Sequence, residues 1–353
     1  MSGKMKINQV RLLFRDILSE LLYQVSLTKS RKGDHRLLNI ITLHRVLPED
    51  LRSSYPIYNI AITPEELSWL LEVLNKYYNI GTLSENLYRW KDRKPTERPL
   101  LSITFDDGQL DNFLYAKPIL EAAGICASFF PAVKNIESKK LIWHDRMAYA
   151  FANILSKKDK SACQLLTESG IVVSEKTPHE VIIDLLKKAK MLAPEQRLAY
   201  LKKLEDATGE LVYPEWAGMM DWYQLKELVQ GGHEIGSHSM THPILPLCSD
   251  NEISNEVNQS RIILQDQLNI PVKTFCYPNG DYNGKIISVL QKAGYTQAVT
   301  TRWGPNNHKD SLFTLRRCDI QSKDIRLRNG KLSVSRLMWR LSKFHPLYIK
   351  SCG

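Results

Sequence analysis

Three short segments place side chains that bind metals or transfer protons directly after apolar runs. They are Asp106-Asp107-Gly108 after LLSITF, His238 and His242 within GSHSMTHP, and Tyr277-Pro278-Asn279-Gly280 after VKTFC. Two imidazoles and one carboxylate can form a three-ligand metal site with open positions for water and substrate. Adjacent side chains at a strand end point in different directions, so one aspartate could bind a cation while the other acts as a base.

A bound cation would also explain the two adjacent carboxylates, whose mutual repulsion otherwise disfavours Asp106 beside Asp107. Such an ion lowers the pKa of its water from about 15.7 toward about 7, so that a modest base suffices to deprotonate it. Each segment alone is common in ordinary turns. Their occurrence together at three strand ends favours a catalytic site.

Apolar runs and amphipathic segments alternate along most of the chain. Strands are predicted at 37–48, 79–84, 100–105, 126–133, 233–238, 272–278 and 295–301. Helices are predicted between them, and Thr63 and Glu66 form a capping box for one of these helices. This α/β alternation predicts a parallel sheet of about seven strands, either open and doubly wound or a partial (β/α) barrel.

The chain is expected to contain one large domain with additions. Residues 1–36 comprise an amphipathic helix and a polar linker, and residues 37–320 comprise the main domain. A charged, helical segment at about 135–215 is interpreted as an insertion, because strand–helix alternation resumes after it. Residues 321–353 form a basic, aromatic tail.

The motifs TFDDG, HSxxHP and YPxG together resemble the polysaccharide deacetylases of carbohydrate esterase family 4, over roughly residues 37–320. The resemblance implies a distorted or incomplete (β/α) barrel. It implies Asp106 as the catalytic base and Asp107, His238 and His242 as metal ligands. Zn²⁺ is the first expectation for the ion, with Co²⁺, Ni²⁺ or Mn²⁺ as alternatives.

The resemblance also implies that Tyr277, Pro278 and Gly280 form one wall of the substrate groove. The backbone N–H of Tyr277 would then help to bind the oxyanion.

Two features depart from the family pattern. Cys276 stands where many members have an arginine that orients the base, and LFTLRRCDI (312–320) lacks the family's Leu-x-His. The general acid is therefore assigned to His44, which follows a predicted strand, ahead of His144 and His308. The latter two are more readily explained as structural histidines.

The predicted function is metal-dependent hydrolysis of the acetamide of N-acetylated sugars in a polysaccharide or a lipid-linked glycan. Alternatives are an O-acetyl esterase acting on a polysaccharide and a non-catalytic glycan-binding relative. Activity that survives both chelation and Asp107→Ala would refute the metal assignment.

The 48 Lys and Arg residues exceed the 38 Asp and Glu residues, a net charge of +10. This excess suggests an anionic neighbour, but no nucleic-acid module is recognisable, and nucleic acid is not expected as a partner. The terminal segments 9–27 and 333–351 combine apolar and basic residues. They prompt the hypothesis of peripheral attachment to the inner face of the membrane, although both could equally pack on the barrel. No secretory signal is predicted, and the expected location is cytoplasmic.

Overall fold

The computed structural model describes residues 2–28, 36–90, 98–157, 164–166 and 176–347. The predicted linker at residues 30–35 lies outside them. The strands are β1 Leu38–Leu43, β2 Arg45–Val46, β3 Ala61–Ile62, β4 Asn79–Ile80, β5 Leu100–Asp107, β6 Ser128–Pro131, β7 Glu234–Ile235, β8 Thr274–Cys276, β9 Gln297–Val299 and β10 Cys318–Asp319.

Parallel strands form a continuous arc in the order β10-β1-β5-β6-β7, and β4 pairs with the first part of β5. A parallel bridge between Ser237 and Phe275 continues the arc to β8, which pairs in parallel with β9. The arc thus contains seven strands, which confirms the predicted α/β fold with an incomplete barrel. The structure also adds β10, which was not predicted.

The helices of the first half of the chain lie mainly outside the arc. They are α1 Ser2–Gln24, α2 Glu49–Ser54, α3 Pro64–Tyr77, α4 Leu83–Trp90, α5 Lys117–Ala122, α6 Val133–Ser138 and α7 Trp143–Lys157. The predicted capping box begins α3, since Glu66 N donates to Thr63 Oγ1 at 3.2 Å and Thr63 N donates to Glu66 Oε2 at 2.9 Å. A π-helical turn, Asn112–Ala116, precedes α5.

The remaining helices are α8 Pro178–Lys190, α9 Pro194–Thr208, α10 Trp222–Gln230, α11 Asp250–Leu268, α12 Gly284–Lys292, α13 Ser322–Ile325 and α14 Val334–Arg340. Helices α6 to α9 all lie between β6 and β7, within or next to the segment that the sequence suggested was an insertion. Helix α8 buries Val181, Ile182, Leu185 and Leu186, which recur at helical spacing.

All strand residues of the arc are buried except Glu234 of β7 and Asp319 of β10, which are partly buried. Every residue of β5 is buried, which explains its continuous apolar run. The rings of Phe105 and Phe129 stack at 4.9 Å between β5 and β6. This packing fixes the strand end that carries the two aspartates.

The C-terminal segment packs on the domain instead of forming an exposed interfacial helix. Leu337, Met338 and Trp339 of α14 are buried. The guanidinium of Arg340 lies 3.8 Å from the centre of the Trp303 ring and 3.2 Å from Asp324 Oδ2. Helix α14 therefore packs on the domain, which is one of the two possibilities left open by the sequence, while Phe344 and Leu347 beyond it are exposed.

Helix α1 is attached to the domain by polar contacts. Arg15 Nη2 donates to Arg326 O at 3.2 Å, Arg328 N donates to Asp16 Oδ2 at 2.7 Å, and the Tyr23 hydroxyl lies 2.7 Å from that of Tyr77. Among the described residues, none of the helices combines the length and apolar character needed to cross a bilayer.

Candidate active site

The two aspartates lie at the carboxyl end of β5, where the chain turns sharply. Asp107 has a φ of +76° and Gly108 a φ of +82°. A side chain at Gly108 would collide with Pro131, because an added Cβ would lie 2.7 Å from the Pro131 Cβ. Left-handed φ at a non-glycine residue is strained, and such residues concentrate at functional sites. The turn directs the Asp107 carboxylate toward the histidines.

The loop from His238 to His242 is held by hydrogen bonds to its backbone. Glu256 on α11 accepts from Met240 N at 2.8 Å and from Thr241 N at 2.9 Å. Trp143 Nε1 donates to His242 O at 2.8 Å. His242 itself has a φ of +58°. These contacts maintain a strained loop that brings both imidazoles to one place.

The Asp107 carboxylate faces three imidazoles. Oδ1 lies 3.6 Å from His238 Nε2 and 3.4 Å from His242 Nε2, and Oδ2 lies 3.7 Å from His144 Nε2. These separations are too long for good hydrogen bonds. Two ligands about 2.1 Å from one ion at a tetrahedral angle lie about 3.4 Å apart. The separations of Asp107 from His238 and from His242 therefore match those of two donors that share a divalent cation.

The orientation of His238 also suits metal binding. Its Nδ1 donates to Cys276 O at 2.8 Å, because a carbonyl can only accept, and this leaves the lone pair on Nε2. Burial lowers the pKa of His238. Burial also lowers the pKa of His242, and the nearby imidazoles of His238 and His144 lower it further, so that it lies well below its usual value. Neutral imidazoles are the form that binds metals.

A second donor group, formed by Asp106, His238 and Cys276, fits a cation less well. Both Asp106 oxygens accept from Arg317, and Arg317 Nη2 also lies 3.2 Å from Cys276 Sγ. A cation there would sit against the guanidinium charge. Burial also raises the pKa of the Cys276 thiol well above its usual value, which disfavours the thiolate that metals require.

Arg317 contacts Asp106, the residue that the missing family arginine was expected to orient. Its Nη1 donates to Asp106 Oδ1 at 2.7 Å and its Nη2 to Oδ2 at 2.8 Å. Burial alone would raise the pKa of Asp106, but the charge and hydrogen bonds of Arg317 hold it well below its ordinary range. Sequence reasoning missed this residue, although it lies in the segment searched for the Leu-x-His histidine.

The three candidate acids occupy different places. His44 follows β1 and lines the same cavity as Asp106, and its Nδ1 is buried without a hydrogen-bond partner among the described residues. His308 is exposed and stacks on Trp90 at 4.6 Å, and it does not line the cavity. His144, expected to be structural, instead faces Asp107.

The Tyr277 backbone N–H is not available to an oxyanion, contrary to the sequence expectation. It donates to Val299 O at 3.1 Å, because β8 pairs with β9 at this point. Tyr277 and Asn279 do line the cavity, whereas Pro278 and Gly280 are buried and do not line it. The segment thus contributes to the wall through two side chains.

The cavity has a volume of about 380 Å³, within the range of small-molecule sites. Helix α8 contributes Ile183, Leu186, Lys187 and Lys190 to its lining. Lys190 Nζ donates to Asn279 Oδ1 at 2.7 Å, so α8 contacts the opposite wall. The helical segment between β6 and β7 therefore forms part of the cavity.

Asp145 and Arg146, which are adjacent in sequence, pair with side chains of other elements and not with each other. Asp145 Oδ2 accepts from Arg45 Nη2 at 2.6 Å, while Arg146 Nη2 lies 2.6 Å from Glu205 Oε1. Arg45 also donates to Asp111 Oδ1 at 2.6 Å, and all three side chains of this cluster are fully buried. A buried ion-pair network thus supports the floor of the site.

Comparison with known proteins agrees with this geometry. The family model for polysaccharide deacetylases matches residues 93–298. YxkH of Bacillus subtilis, named as a polysaccharide deacetylase, is 22% identical over 254 residues, covering 72% of this chain and 62% of YxkH. The peptidoglycan-N-acetylglucosamine deacetylase of Bacillus cereus is 30% identical over 81 residues, covering 23% of this chain and 37% of that enzyme.

Among solved structures, the Streptococcus pyogenes deacetylase PplD in complex with acetate has a similar fold, with a TM-score of 0.54 and 18% identity. The match covers 81% of this chain and 92% of that one. The fold and the family match define a deacetylase-type α/β barrel. The chain belongs to the polysaccharide deacetylases of carbohydrate esterase family 4.

Proposed function

We propose that the chain is a metal-dependent hydrolase that removes the acetyl group from N-acetylated sugar units of a polysaccharide or a lipid-linked glycan. The proposal depends on one observation. Asp107, surrounded by imidazole nitrogens at 3.4–3.7 Å, lies in the same cavity as Asp106, which Arg317 holds at both oxygens. The Bacillus cereus relative, which acts on N-acetylglucosamine in peptidoglycan by its name, supports an amide substrate.

Asp107, His238 and His242 would hold the divalent cation, which when bound would activate water and polarise the acetamide carbonyl. Asp106 is ionised and fixed in orientation, so it can accept the proton of the water that adds to the carbonyl carbon. His44, on the wall of the same cavity, would donate a proton to the nitrogen as the C–N bond breaks. The products are acetate and the free amino sugar.

The test is release of acetate from N-acetylglucosamine oligosaccharides by purified protein, measured after chelation and after reloading with Zn²⁺, Co²⁺, Ni²⁺ or Mn²⁺. We expect activity only in the reloaded protein, with losses of at least about 100-fold in Asp106→Asn and Asp107→Ala. Asp266→Asn, an exposed position on α11, is the control and should leave activity unchanged. Activity that persists in chelated Asp107→Ala would contradict the metal assignment.

The same assay separates the alternative functions. Acetate release from O-acetylated xylan, but not from the N-acetylated oligosaccharide, would identify an O-acetyl esterase. Oligosaccharide binding without turnover, with equal affinity in Asp106→Asn, would identify a glycan-binding protein.

We also propose that α1 attaches the protein to an anionic membrane surface, in keeping with the expected location at the inner face of the membrane. Its polar contacts face the domain, while Val10 and Phe14 are each 66% exposed and Leu21 is 58% exposed. Residues 10, 14 and 21 lie on one helical face. Such a stripe suits the headgroup boundary of a bilayer.

Charge in the segment that contacts α1 supports an anionic partner. Lys323, Arg328 and Lys331 are exposed in the segment that binds α1 through Asp16 and Arg15. Basic residues beside an apolar stripe strengthen binding to anionic lipids. This arrangement favours a lipid surface over a second apolar protein face.

Flotation with phosphatidylserine-containing vesicles and with purely zwitterionic vesicles tests the attachment. We expect binding to the anionic vesicles only, decreasing with salt, and a loss of about tenfold or more in Phe14→Ser/Leu21→Ser. Tyr88→Ser removes an 83% exposed ring on α4 and serves as the control. A wild-type protein that dimerises through α1 and ignores vesicles would contradict the proposal.

A further inference from the structure

His144 lies at the metal site although the predicted ligand set does not include it. It is the second residue of α7, in the helical segment between β6 and β7, and it is buried. Donor atoms of Asp107, His144 and His242 all lie within 4.8 Å of one another, and the His144 and His242 rings are 5.1 Å apart. His144 on α7 therefore forms a possible metal-binding group with two of the predicted ligands, Asp107 and His242, while the third, His238, faces the other oxygen of Asp107.

Asp145 fixes the orientation of the His144 ring. Its Oδ1 lies 3.2 Å from His144 Nδ1 and accepts from the Tyr55 hydroxyl at 2.6 Å, while Arg45 Nη2 donates to Oδ2 at 2.6 Å. A carboxylate paired with a guanidinium can only accept, so Nδ1 carries a hydrogen, and the lone pair of a neutral ring lies on Nε2. A carboxylate that accepts from the distal nitrogen of a ligating histidine is the usual arrangement in metal sites.

The His144 Nε2 lone pair then faces an oxygen of Asp107 at 3.7 Å. Two acceptors at this distance repel each other, and 3.7 Å is too long for a hydrogen bond even if Nε2 were protonated. A shared cation turns the repulsion into two favourable bonds. The distance from His144 Nε2 to the Asp107 carboxylate is thus similar to that from His238 Nε2, which is 3.6 Å.

We propose that His144 is a fourth protein ligand, binding the cation through Nε2, and this inference depends on the metal site of the proposed function. Four protein donors fill a tetrahedral ion, yet catalysis needs an open position for water and substrate. The site therefore selects an ion that accepts five or six ligands, such as Co²⁺, Ni²⁺ or Mn²⁺, in preference to a four-coordinate Zn²⁺. The inserted helix then contributes to metal choice as well as to the cavity wall.

Metal affinity and the Co²⁺ absorption spectrum test this without an activity assay. We expect wild-type protein to show the weak visible bands of five- or six-coordinate Co²⁺, with the dissociation constant measured by competition with a chelator. His144→Ala should weaken Co²⁺ binding by about 10–100-fold and intensify the visible bands as the coordination number falls. His308→Ala, a histidine stacked on Trp90 away from the cavity, should change neither.

The outcomes separate this inference from the proposed function. Wild-type protein that binds no metal overturns both. Metal binding of unchanged affinity and spectrum in His144→Ala overturns only the fourth ligand, and a loss of turnover without a change in affinity would identify His144 as an acid instead. If His144→Ala does not fold, His144→Asn provides the same comparison.

Discussion

Arg317 donates to both carboxylate oxygens of Asp106, at 2.7 and 2.8 Å, across 211 residues of sequence. Both side chains are buried, with exposed fractions of 1% and 5%. Thr300 O and Thr104 Oγ1 fix the guanidinium in turn, at 2.9 and 3.0 Å. The proposed base is therefore ionised and held in a single orientation.

Replacing Arg317 by lysine should lower kcat/KM by about 10–100-fold, because a point charge cannot reproduce the two parallel hydrogen bonds that orient Asp106. The metal content should stay at the wild-type level, since Arg317 binds Asp106 and not Asp107. Kinetics together with elemental analysis provides the measurement.

Arg316→Lys is the matched control for Arg317→Lys. Arg316 pairs with Asp310 at 3.1 Å and not with Asp106, so its replacement should leave kcat/KM within about twofold. Equal losses in the two variants would contradict the positioning role of Arg317.

The strands and the three motif donors could be predicted because their signals are local. An apolar run such as LLSITF specifies a buried strand, and Asp107, His238 and His242 belong to motifs of adjacent residues. Arg317 could not be predicted this way, because its partner lies in another strand of the arc. His144 was named from the sequence only as a candidate acid, because no local pattern at the start of α7 shows that its side chain faces Asp107.

One other expectation was wrong, and one local pattern was ambiguous, because tertiary partners decide what a local pattern means. The Tyr277 N–H was expected to bind an oxyanion, but the pairing of β8 with β9 directs it to Val299 O. The mixture of basic and aromatic residues in α14 suits both a membrane interface and a buried cation–π contact. Arg340 over Trp303 shows that the second applies here.

The buried cluster of Arg45, Asp111 and Asp145 gives a second prediction. Arg45→Met removes the only guanidinium shared by the two carboxylates and leaves both without a paired cation in the described structure. We expect a loss of about 3–5 kcal/mol in the free energy of unfolding. Urea denaturation of the metal-free protein measures this directly.

Arg146→Met is the comparison for Arg45→Met. Arg146 pairs with Glu205 where the two side chains are 25% and 30% exposed, so its loss should cost less than about 1 kcal/mol. Similar costs for the two substitutions would show that burial does not determine the strength of these pairs.

Gly280 tests how the backbone of residues 277–280, which contribute Tyr277 and Asn279 to the cavity wall, is held in place. It has a φ of +83°, and an added Cβ would lie 2.5 Å from Thr301 N and closer still to the Thr301 hydroxyl. Gly280→Ala should lower the free energy of unfolding by about 2–4 kcal/mol, through backbone strain and overpacking. Gly284→Ala, at the first turn of α12 with open space around its Cβ, should be neutral or slightly stabilising. Thermal unfolding of the two variants distinguishes these effects.

His233 predicts how stability depends on pH. Burial lowers its pKa from 6.5 to about 4, and its Nδ1 accepts from Ala127 N at 3.1 Å, which requires the neutral ring. The unfolded chain takes up the proton near pH 6.5 and the folded chain only near pH 4. The contribution of neutral His233 is therefore complete above pH 6.5 and is lost as the pH falls from 6.5 to 4, at a total cost of about 2–3 kcal/mol.

Asparagine at position 233 can present an acceptor to Ala127 N without titrating. We expect the free energy of unfolding of His233→Asn to be lower than that of the wild type at pH 7.5. Because asparagine does not titrate, the difference between the two proteins should shrink by about 2 kcal/mol between pH 7.5 and pH 4.5. Urea denaturation of chelator-treated protein avoids a contribution from acid release of the metal. A difference between variant and wild type that stays constant over this range would mean that the folded and unfolded states protonate His233 alike.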